Sequence, residues 1–185
     1  GAAWFVLESA ERLDRRGAEP LAWVRGTGTC SEAHHPSSPD PSGEWERTAM
    51  QLAQTQAGVE PASIDALFAH ATGTDKGDGA EIRAINDLFR STGVPGPWVT
   101  AIKGNTGHTG AASGGMSAVA AVHALRTGRL APILGTTDLD PSIAFPVVLG
   151  PPVDTSIDLV QINAFGFGGQ DSSMVLGTAG PMAKS

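Results

Sequence analysis

The order of short apolar segments, glycine-rich turns and longer amphipathic segments constrains the fold more than any other feature. Residues 64–69 and 98–102 have the length and apolar content of buried strands, and each runs into a turn rich in glycine and threonine. An amphipathic segment near 79–92 separates these two strands. Its apolar side chains recur at helical spacing: Ile82, Ile85, Leu88 and Phe89. Strands that alternate with helices predict a layered α/β fold.

The rest of the chain continues this alternation. Further strands are predicted at residues 1–7, 21–30, 158–164 and 172–177. Further helices are predicted at residues 9–16, 44–58 and 110–127, with loops rich in proline, serine or glycine at 31–43, 135–157 and 165–169. The helix at 110–127 consists almost entirely of small residues, so we expect it to pack closely against the sheet or a partner.

The first predicted strand bears on domain organisation. Residues 1–7 are mostly apolar, and the chain does not start with Met. A domain seldom begins inside its own core, so we expect this chain to be part of a larger protein. Its 185 residues are enough for one domain with a sizeable core.

Composition argues against several classes of protein. The net charge is −7, from 12 basic and 19 acidic residues, whereas non-specific nucleic-acid binding requires a basic surface. No segment approaches the roughly 20 apolar residues of a membrane helix, and the N-terminus lacks the pattern of a secretory signal. Cys30 is the single cysteine, which excludes an internal disulfide framework and suits a reducing compartment. We therefore expect a cytoplasmic protein that binds neither nucleic acid nor membrane.

Reactive side chains follow the predicted strands. His70 ends one strand, Lys103 ends another, and His108 stands at the start of the helix at 110–127. A histidine at a helix N-terminus faces the positive end of the helix dipole, which favours neutral imidazole. Neutral imidazole donates a hydrogen bond from Nε2 to an oxygen that gains negative charge, and two such donors would stabilise an enolate. Taken singly, a histidine at a strand end is more often structural, and Lys103 fits an ordinary surface lysine equally well.

These residues belong to two of three motifs that follow one another in a fixed order. The motifs are AHATGTxxGDxxE (69–81), KGNTGHTGAASG (103–114) and NAFGFGGQD (163–171). Together they resemble the second half of the β-ketoacyl synthases, which extend acyl chains in fatty acid and polyketide synthesis. Residues 1–8, 39–44 and 124–132 resemble further segments of that family, so the resemblance covers nearly the whole chain.

The resemblance implies a role for each matching residue. His70 and His108 match two histidines that polarise the malonyl thioester during decarboxylation, and Lys103 matches a lysine that orders the site. Glu81 matches a carboxylate near that lysine, so we expect the two charges to pair and to avoid the cost of isolated burial. Asn105, in the same motif as Lys103, is expected to support the site.

A second group of residues is implied in substrate binding. Thr72 and Thr74 match hydroxyls that hold the phosphopantetheine arm of acyl carrier protein. Phe167 matches a gating phenylalanine whose backbone N–H resembles one of the family's oxyanion donors, and Gly168 belongs to the same glycine-rich loop, which can swing. No metal or freely bound cofactor is implied, because phosphopantetheine arrives on the carrier.

The chain departs from the family pattern at several positions. Ala71 stands where many members have glycine, which crowds the turn slightly. Residues 170–173 (Gln-Asp-Ser-Ser) replace the common Thr-Asn-Ala-His, a change at the rim of the site or at the carrier contact. Gly104 and Thr106 replace common serine and isoleucine. None of these changes removes a catalytic group that the resemblance implies.

The nucleophile of the implied reaction is not found in this sequence. In a ketosynthase, a cysteine thiolate takes the acyl group, and the carbanion from malonyl decarboxylation attacks it in a Claisen condensation. That cysteine lies in the family's N-terminal half, upstream of the stretch that matches residue 1. Cys30 follows a strand at a position where the family usually has a small residue, so a structural role is favoured. A zinc site of Cys30, His34 and His35 lacks a fourth ligand and paired-cysteine spacing.

The resemblance implies a thiolase-like fold, in which two similar α/β halves stack as five layers (α-β-α-β-α). Residues 1–185 are expected to form the C-terminal half, a mixed sheet with helices on both faces. The implied activity is that of a β-ketoacyl-[acyl carrier protein] synthase, an acyltransferase that condenses a carrier-bound acyl chain with malonyl-carrier. The implied partners are an N-terminal half that carries the cysteine, a second copy of the enzyme in a dimer, and acyl carrier protein.

Two other interpretations stay open. The chain fits a non-catalytic partner subunit, comparable to the chain-length factors that pair with ketosynthases, although retention of His70, Lys103 and His108 argues against it. A cysteine in the N-terminal half favours the enzyme, and glutamine or another residue in its place favours the partner. The third interpretation is an inactive fragment, which would expose a hydrophobic strand edge and aggregate.

Overall fold

The structure, a computed structural model, describes residues 1–90, 93 and 95–180. The helices are α1 (Ala10–Arg15), α2 (Glu44–Ala57), α3 (Asp75–Arg90), α4 (Lys103–Thr106) and α5 (Ser113–Thr127), with short 3-10 turns at Pro61–Ser63 and Gly110–Ala112. The strands are β1 (Trp23–Ser31), β2 (Ala66–Phe68), β3 (Trp98–Thr100), β4 (Arg129–Leu130), β5 (Val153–Asp154), β6 (Leu159–Gly166) and β7 (Gln170–Gly177). Within the described ranges, no helix is long and apolar enough to cross a membrane.

Five of the strands form a mixed sheet in the order β1-β7-β6-β2-β3. β7 is antiparallel to both β1 and β6, whereas β6, β2 and β3 are parallel. Phe68 at the end of β2 is level with Thr100 of β3 and Ile162 of β6. The carboxyl ends of these three parallel strands therefore meet at one edge of the sheet, where binding crevices commonly form. β4 and β5 pair separately as a two-stranded antiparallel sheet.

Apolar side chains cover both faces of the five-stranded sheet, because successive strand residues point to opposite faces. On one face, Leu67 and Val175 belong to a core that includes α2 and α3. On the other face, Phe68 and Ile162 belong to a core that includes α5. The resemblance to one half of a thiolase-like fold predicted a mixed sheet with helices on both faces, and the structure confirms it.

Glycines let two helices approach the sheet closely. α2 lies against β1 at Gly28, where a Cβ would be 2.1 Å from the carbonyl oxygen of Ala49. α5 lies against β6 at Gly114, where a Cβ would be 3.2 Å from that of Ala164. This agrees with the close packing expected for the small-residue segment, although its first residues, Gly110–Ala112, form a 3-10 turn before α5 begins.

Some predicted boundaries differ from the structure. α3 begins at Asp75 rather than near residue 79, because Asp75 and Asp78 occupy a first turn in which the helix dipole favours acidic side chains. Residues 91 and 92 of that prediction lie outside the described residues. β6 continues to Gly166 and β7 begins at Gln170, so the turn between them is shorter than the predicted loop.

The largest departure concerns residues 1–7, which were predicted to form a buried strand. The structure has no strand there, and the exposed fractions are 93% for Trp4, 90% for Val6 and 79% for Leu7. A strand requires a hydrogen-bonded neighbour, and none of the described residues pairs with this segment as a strand. The segment instead touches α5, since a Cβ at Gly115 would lie 3.1 Å from that of Ala3.

The close approach of α2 to β1 provides a test of the packing. Gly28→Ala would drive a methyl group into the backbone of α2, so we expect a loss of about 2 kcal/mol or more in unfolding free energy, measured by urea denaturation. Gly79→Ala in α3 is the control, because the nearest atoms to its Cβ belong to the Arg83 side chain at 3.6 Å. The control should be neutral or stabilise the protein by up to about 1 kcal/mol. Equal losses in both variants would contradict this packing.

Candidate active site

Three side chains singled out from the sequence lie together at the carboxyl edge of the parallel strands. His70 follows β2, Lys103 begins α4 after β3, and His108 lies between α4 and α5. The ring centroids of His70 and His108 are 6.0 Å apart, and their planes are nearly perpendicular at 88°. The ring of Phe165, near the end of β6, lies 5.7 Å from that of His70. The sheet thus brings together residues from separate turns.

The buried carboxylate of Glu81 holds the turn that carries His70. Its two oxygens accept the backbone N–H groups of His70 and Ala71, each at 2.8 Å, and Asn163 Nδ2 donates to it at 3.0 Å. Ala71 has φ +37°, in the left-handed region that residues with a Cβ seldom adopt. The family's common glycine would adopt this φ without strain, whereas Ala71 adopts it at a cost. The hydrogen bond from the Ala71 N–H to Glu81 holds the strained conformation.

The surroundings of His70 keep its imidazole neutral. Burial, followed by the charges of Lys103 and His108, lowers the pKa of His70 to about 3. The amine of Lys103 donates to the carbonyl oxygen of His70 and lies 3.4 Å from His70 Nδ1. An ammonium group carries only donors, so Nδ1 accepts and the ring proton lies on Nε2.

His108 has the same tautomer for a different reason. Its Nδ1 accepts the backbone N–H of Gly110 at 3.2 Å, which leaves the ring proton on Nε2. Ser113 Oγ, at the first residue of α5, lies 3.0 Å from the same nitrogen. The sequence placed His108 at the start of a helix, but the 3-10 turn Gly110–Ala112 comes between it and α5. Hydrogen bonds to this turn therefore set the tautomer of His108.

The expected pairing of Lys103 with Glu81 is not a direct ion pair in the structure. Among the ion pairs of the described residues, none joins these two side chains. The oxygens of Glu81 are occupied by backbone N–H groups, and Lys103 donates to the His70 carbonyl, so both act on the same turn. Burial raises the pKa of Glu81 and lowers that of Lys103, and their mutual attraction opposes both shifts.

His70 and His108 line one cavity of about 810 Å³. Thr72 and Thr74 lie on the wall of the same cavity, with their hydroxyl oxygens 3.0 Å apart. The two predicted groups, the histidine pair and the threonine pair, are thus brought to one space. Asn105 is exposed on α4 and is not part of this wall, so the structure gives no cavity contact for the support expected of it.

The turn between β6 and β7 forms another part of the cavity wall. Phe167 lies in this turn, and 84% of its surface is exposed. Gly168, the next residue, has φ +82° and donates its N–H to the carbonyl oxygen of Pro36 at 2.8 Å. The turn is therefore tied to the loop between β1 and α2, while the Phe167 side chain stays accessible.

Sequence reasoning missed three buried acidic side chains on the cavity wall, Glu32, Glu46 and Asp171. Their exposed fractions are 6%, 1% and 2%. The pKa is raised to about 10 for Glu46 and to about 7 for Asp171. Burial is the largest cause, and repulsion from neighbouring carboxyl groups raises both pKa values further. The sequence signalled only Asp171, as a departure from the family pattern, because the burial of the others depends on tertiary packing.

The structure gives Cys30 the surroundings of a structural residue. Its thiol donates to the carbonyl oxygen of Trp45 at 3.0 Å, and burial, with repulsion from Asp171, raises the pKa of the thiol to about 11. A nucleophilic cysteine requires a lowered pKa. His35 Nδ1 accepts the backbone N–H of Ser37. In the part of the chain that the structure describes, no group of three or more His, Cys, Asp or Glu is placed to hold a metal ion.

The sheet with its helices and the histidine pair at its edge define a domain of the thiolase-like class. Residues 21–137 match the C-terminal domain of the β-ketoacyl synthases. The chain is 38% identical over 177 residues to 3-oxoacyl-[acyl-carrier-protein] synthase 2 of Mycobacterium bovis, an alignment that covers 96% of this chain and 42% of the relative. The chain therefore belongs to the β-ketoacyl synthase family.

Solved structures agree with this assignment. The chain superposes on the ishigamide ketosynthase/chain length factor with a TM-score of 0.86 at 34% identity, over 94% of this chain and 42% of that one. It superposes on a β-ketoacyl synthase from Burkholderia phymatum with a TM-score of 0.85 at 29% identity, over 92% and 40%. In each comparison the chain spans about two fifths of the length of its relative.

The charge of Lys103 provides a test of the His70 surroundings. Burial is the largest cause of the low pKa of His70, and the charge of Lys103 is the second. Lys103→Met removes only that charge, so the pKa should rise part of the way from about 3 toward its ordinary value of about 6.5. NMR of the imidazole resonances against pH measures the change. Lys76→Met is the matched control, because Lys76 lines the cavity that His70 lines but is not among the causes of the shift. A His70 that titrates alike in both variants would contradict the assignment.

The same shift predicts how stability depends on pH. The pKa of His70 is lower in the folded state than in the unfolded state, so the unfolded chain binds the proton more tightly. His70 therefore contributes stability that is present above about pH 6.5 and is lost as the pH falls toward about 3. Lys103→Met should reduce this acid destabilisation, measured as the unfolding free energy in urea over that range.

Proposed function

We propose that this chain supplies the decarboxylation machinery of a β-ketoacyl-[acyl carrier protein] synthase, an acyltransferase of fatty acid or polyketide synthesis. The observation that carries the proposal is the histidine pair on one cavity wall, with both Nδ1 atoms engaged and both ring protons on Nε2. The identity with 3-oxoacyl-[acyl-carrier-protein] synthase 2 over nearly the whole chain adds to it. The nucleophilic cysteine is proposed to come from an N-terminal half outside these 185 residues.

In the proposed reaction, the carbonyl oxygen of the malonyl thioester lies between the two Nε2–H groups. The bond between the α-carbon and the carboxylate breaks, carbon dioxide leaves, and the electron pair moves onto the thioester as an enolate. Both imidazoles donate to the enolate oxygen, where the negative charge develops. Because the pKa of His70 is about 3, the ring is neutral and stabilises this charge without delivering a proton to the carbanion.

Condensation then requires an acyl thioester on the cysteine of the N-terminal half. The enolate carbon attacks the acyl carbonyl carbon, a carbon–carbon bond forms, and the cysteine thiolate leaves. Lys103 is proposed to order the site through the carbonyl and Nδ1 of His70, and Glu81 through the backbone of the same turn. The backbone N–H of Phe167 is proposed as an oxyanion donor in this second step.

Acyl carrier protein is proposed to deliver both thioesters on its phosphopantetheine arm. Thr72 and Thr74 present adjacent hydroxyls on the cavity wall, which suit hydrogen bonds to the amides of the arm. Phe167 and Gly168, in the exposed turn between β6 and β7, are proposed to gate its entry. The arm belongs to the substrate, so the proposal includes no resident cofactor and no metal.

The exposed apolar residues at the start of the chain support the proposed N-terminal half. Trp4, Val6 and Leu7 are largely exposed, and burial of each large apolar side chain contributes roughly 1.5–3 kcal/mol. If an N-terminal half covered this segment, burial of these side chains would stabilise the contact between the two halves by that amount. The completed enzyme is proposed to be a dimer in the cytoplasm.

A non-catalytic partner subunit of the chain-length-factor type is the second candidate function. The superposition on the ishigamide ketosynthase/chain length factor supports it and the synthase equally. His70, Lys103 and His108 favour the enzyme, because a subunit that only shapes a product pocket does not need them. The residue at the nucleophile position of the N-terminal half separates the two functions.

The test of the enzyme measures decarboxylation of malonyl-carrier by the intact protein. His70→Ala or His108→Ala removes one donor to the enolate, so we expect kcat to fall about 10²–10³-fold in each variant. His123→Ala, at an exposed position of α5, is the control and should keep the wild-type kcat. Wild-type rates in both active-site variants would refute the proposed role of the histidines.

A second measurement separates the enzyme from the partner subunit. The intact protein is incubated with a labelled acyl-carrier thioester and digested. Label on a cysteine of the N-terminal half supports the synthase, because the acyl group must move to that thiolate before condensation. Absence of labelled cysteine, with another residue at the nucleophile position, supports the partner subunit.

A further inference from the structure

A row of hydrogen-bonded, buried polar side chains begins on α2, continues along the face of the sheet that α2 covers, and ends at the His70 turn. We call it the buried relay, and its members in order are Gln54, Gln161, Ser173, Asn163 and Glu81. Their exposed fractions range from 0% to 4%. They lie in the layer between the sheet and the helices α2 and α3. This layer contains the apolar side chains of Met50 and Val175 and also the buried acids Glu46 and Asp171.

Each hydrogen bond of the buried relay runs in the same direction. Gln54 Nε2 donates to Gln161 Oε1 at 2.7 Å, and Gln161 Nε2 donates to Ser173 Oγ at 2.8 Å. The hydroxyl of Ser173 donates to Asn163 Oδ1 at 2.9 Å. Asn163 Nδ2 donates to Glu81 Oε1 at 3.0 Å. Each donor therefore points toward the next member of the relay, and the carboxyl group of Glu81 is the last acceptor.

General energetics does not favour these polar groups over apolar side chains of the same shape. A buried amide or hydroxyl costs about 1–3 kcal/mol when it is unpaired, whereas replacing both partners by apolar groups of the same shape is nearly neutral. Apolar side chains at positions 54 and 161 would match the apolar residues of the same layer, although position 161 would lose the hydrogen bond from Gln161 Nε2 to the Met50 carbonyl oxygen at 3.1 Å. A row of five hydrogen-bonded polar side chains in that layer is better explained by the turn that it holds in place.

The buried relay ends at the group that sets the direction of His70. Glu81 Oε1 accepts both from Asn163 and from the His70 N–H, and Oε2 accepts from the Ala71 N–H. Hydrogen bonds to a carboxylate are the stronger kind, so the turn and the relay are firmly joined at this residue. A shift of Asn163 after loss of its Ser173 partner would therefore be passed to the His70 turn.

We propose that the three outer members of the buried relay, Gln54, Gln161 and Ser173, are positioning residues for the decarboxylation step. They act through Asn163 and Glu81, which hold the His70 turn. None of the three outer members lines the cavity that His70 and His108 share, so their effect is on geometry and not on substrate contact. The inference rests on the function proposed above for His70.

The first test removes the centre of the buried relay. Ser173→Ala deletes the hydroxyl that joins Gln161 to Asn163 and adds no bulk, whereas Ser173→Thr keeps the hydroxyl. In the intact protein, Ser173→Ala should lower kcat for malonyl-carrier decarboxylation about 10-fold to 100-fold with KM unchanged, and Ser173→Thr should retain most of the activity. Leu125→Ala, in the core on the opposite face of the sheet, is the control; it should lower stability and leave kcat unchanged.

A double-mutant cycle tests whether the buried relay acts as a unit. Gln161→Leu keeps a side chain of similar size and removes the donor to Ser173. If the relay acts as a unit, the variant with both Gln161→Leu and Ser173→Ala loses no more kcat than the worse single variant. Losses that multiply would show independent local effects and would overturn the proposal.

Hydrogen exchange at two backbone amides gives a readout that does not depend on activity. The N–H groups of His70 and Ala71, which donate to Glu81, should exchange faster in Ser173→Ala than in the wild type or in Leu125→Ala. If the wild-type protein does not decarboxylate malonyl-carrier, the proposed function fails, while the exchange measurement still tests the relay. Wild-type exchange at both amides in Ser173→Ala would overturn the relay itself.

Discussion

The hydrogen bonds accepted by the buried carboxylate of Glu81 are the interaction on which the site depends. A buried carboxylate is costly unless its oxygens accept hydrogen bonds, and here the donors are two backbone N–H groups of the His70 turn and the amide of Asn163. The same bonds hold Ala71 in a left-handed conformation that its Cβ disfavours. The direction of the His70 ring relative to His108 follows from this turn, so the chemistry of the cavity depends on a group that does not line it.

The sheet topology determines which turns can cooperate, and this part could be predicted from the sequence. β2 and β3 are short apolar runs separated by the amphipathic α3, and such a crossover places the two strands parallel with their carboxyl ends at one edge. His70 and Lys103 follow those strands directly, so their meeting follows from local patterns. The position of His108 close to them was expected from the motif that it shares with Lys103.

Contacts between distant segments could not be predicted in this way. The buried relay depends on the register of β6 on β7, in which Asn163 pairs with Ser173, and on where α2 crosses the sheet. Lys103 and Glu81 were expected to pair as opposite charges, but the backbone N–H groups of the turn occupy the carboxylate instead. Residues 1–7 have the composition of a strand, yet strand formation requires a neighbour, and a single segment carries no information about its neighbour.

Burial also decides the charge of the cavity, which is less negative than its composition suggests. Three carboxylates on Glu32, Glu46 and Asp171 would repel the malonyl carboxylate that the proposed reaction requires. Burial raises the pKa of Glu46 to about 10, so this group is protonated at neutral pH, and Asp171, with a pKa of about 7, is only partly ionised. Burial disfavours the charged form of a base as well, so it lowers the pKa of His70 and keeps the imidazole neutral. The raised pKa values of Glu46 and Asp171 and the neutral imidazole of His70 are therefore the features of this cavity that suit the anionic substrate and the enolate of the proposed reaction.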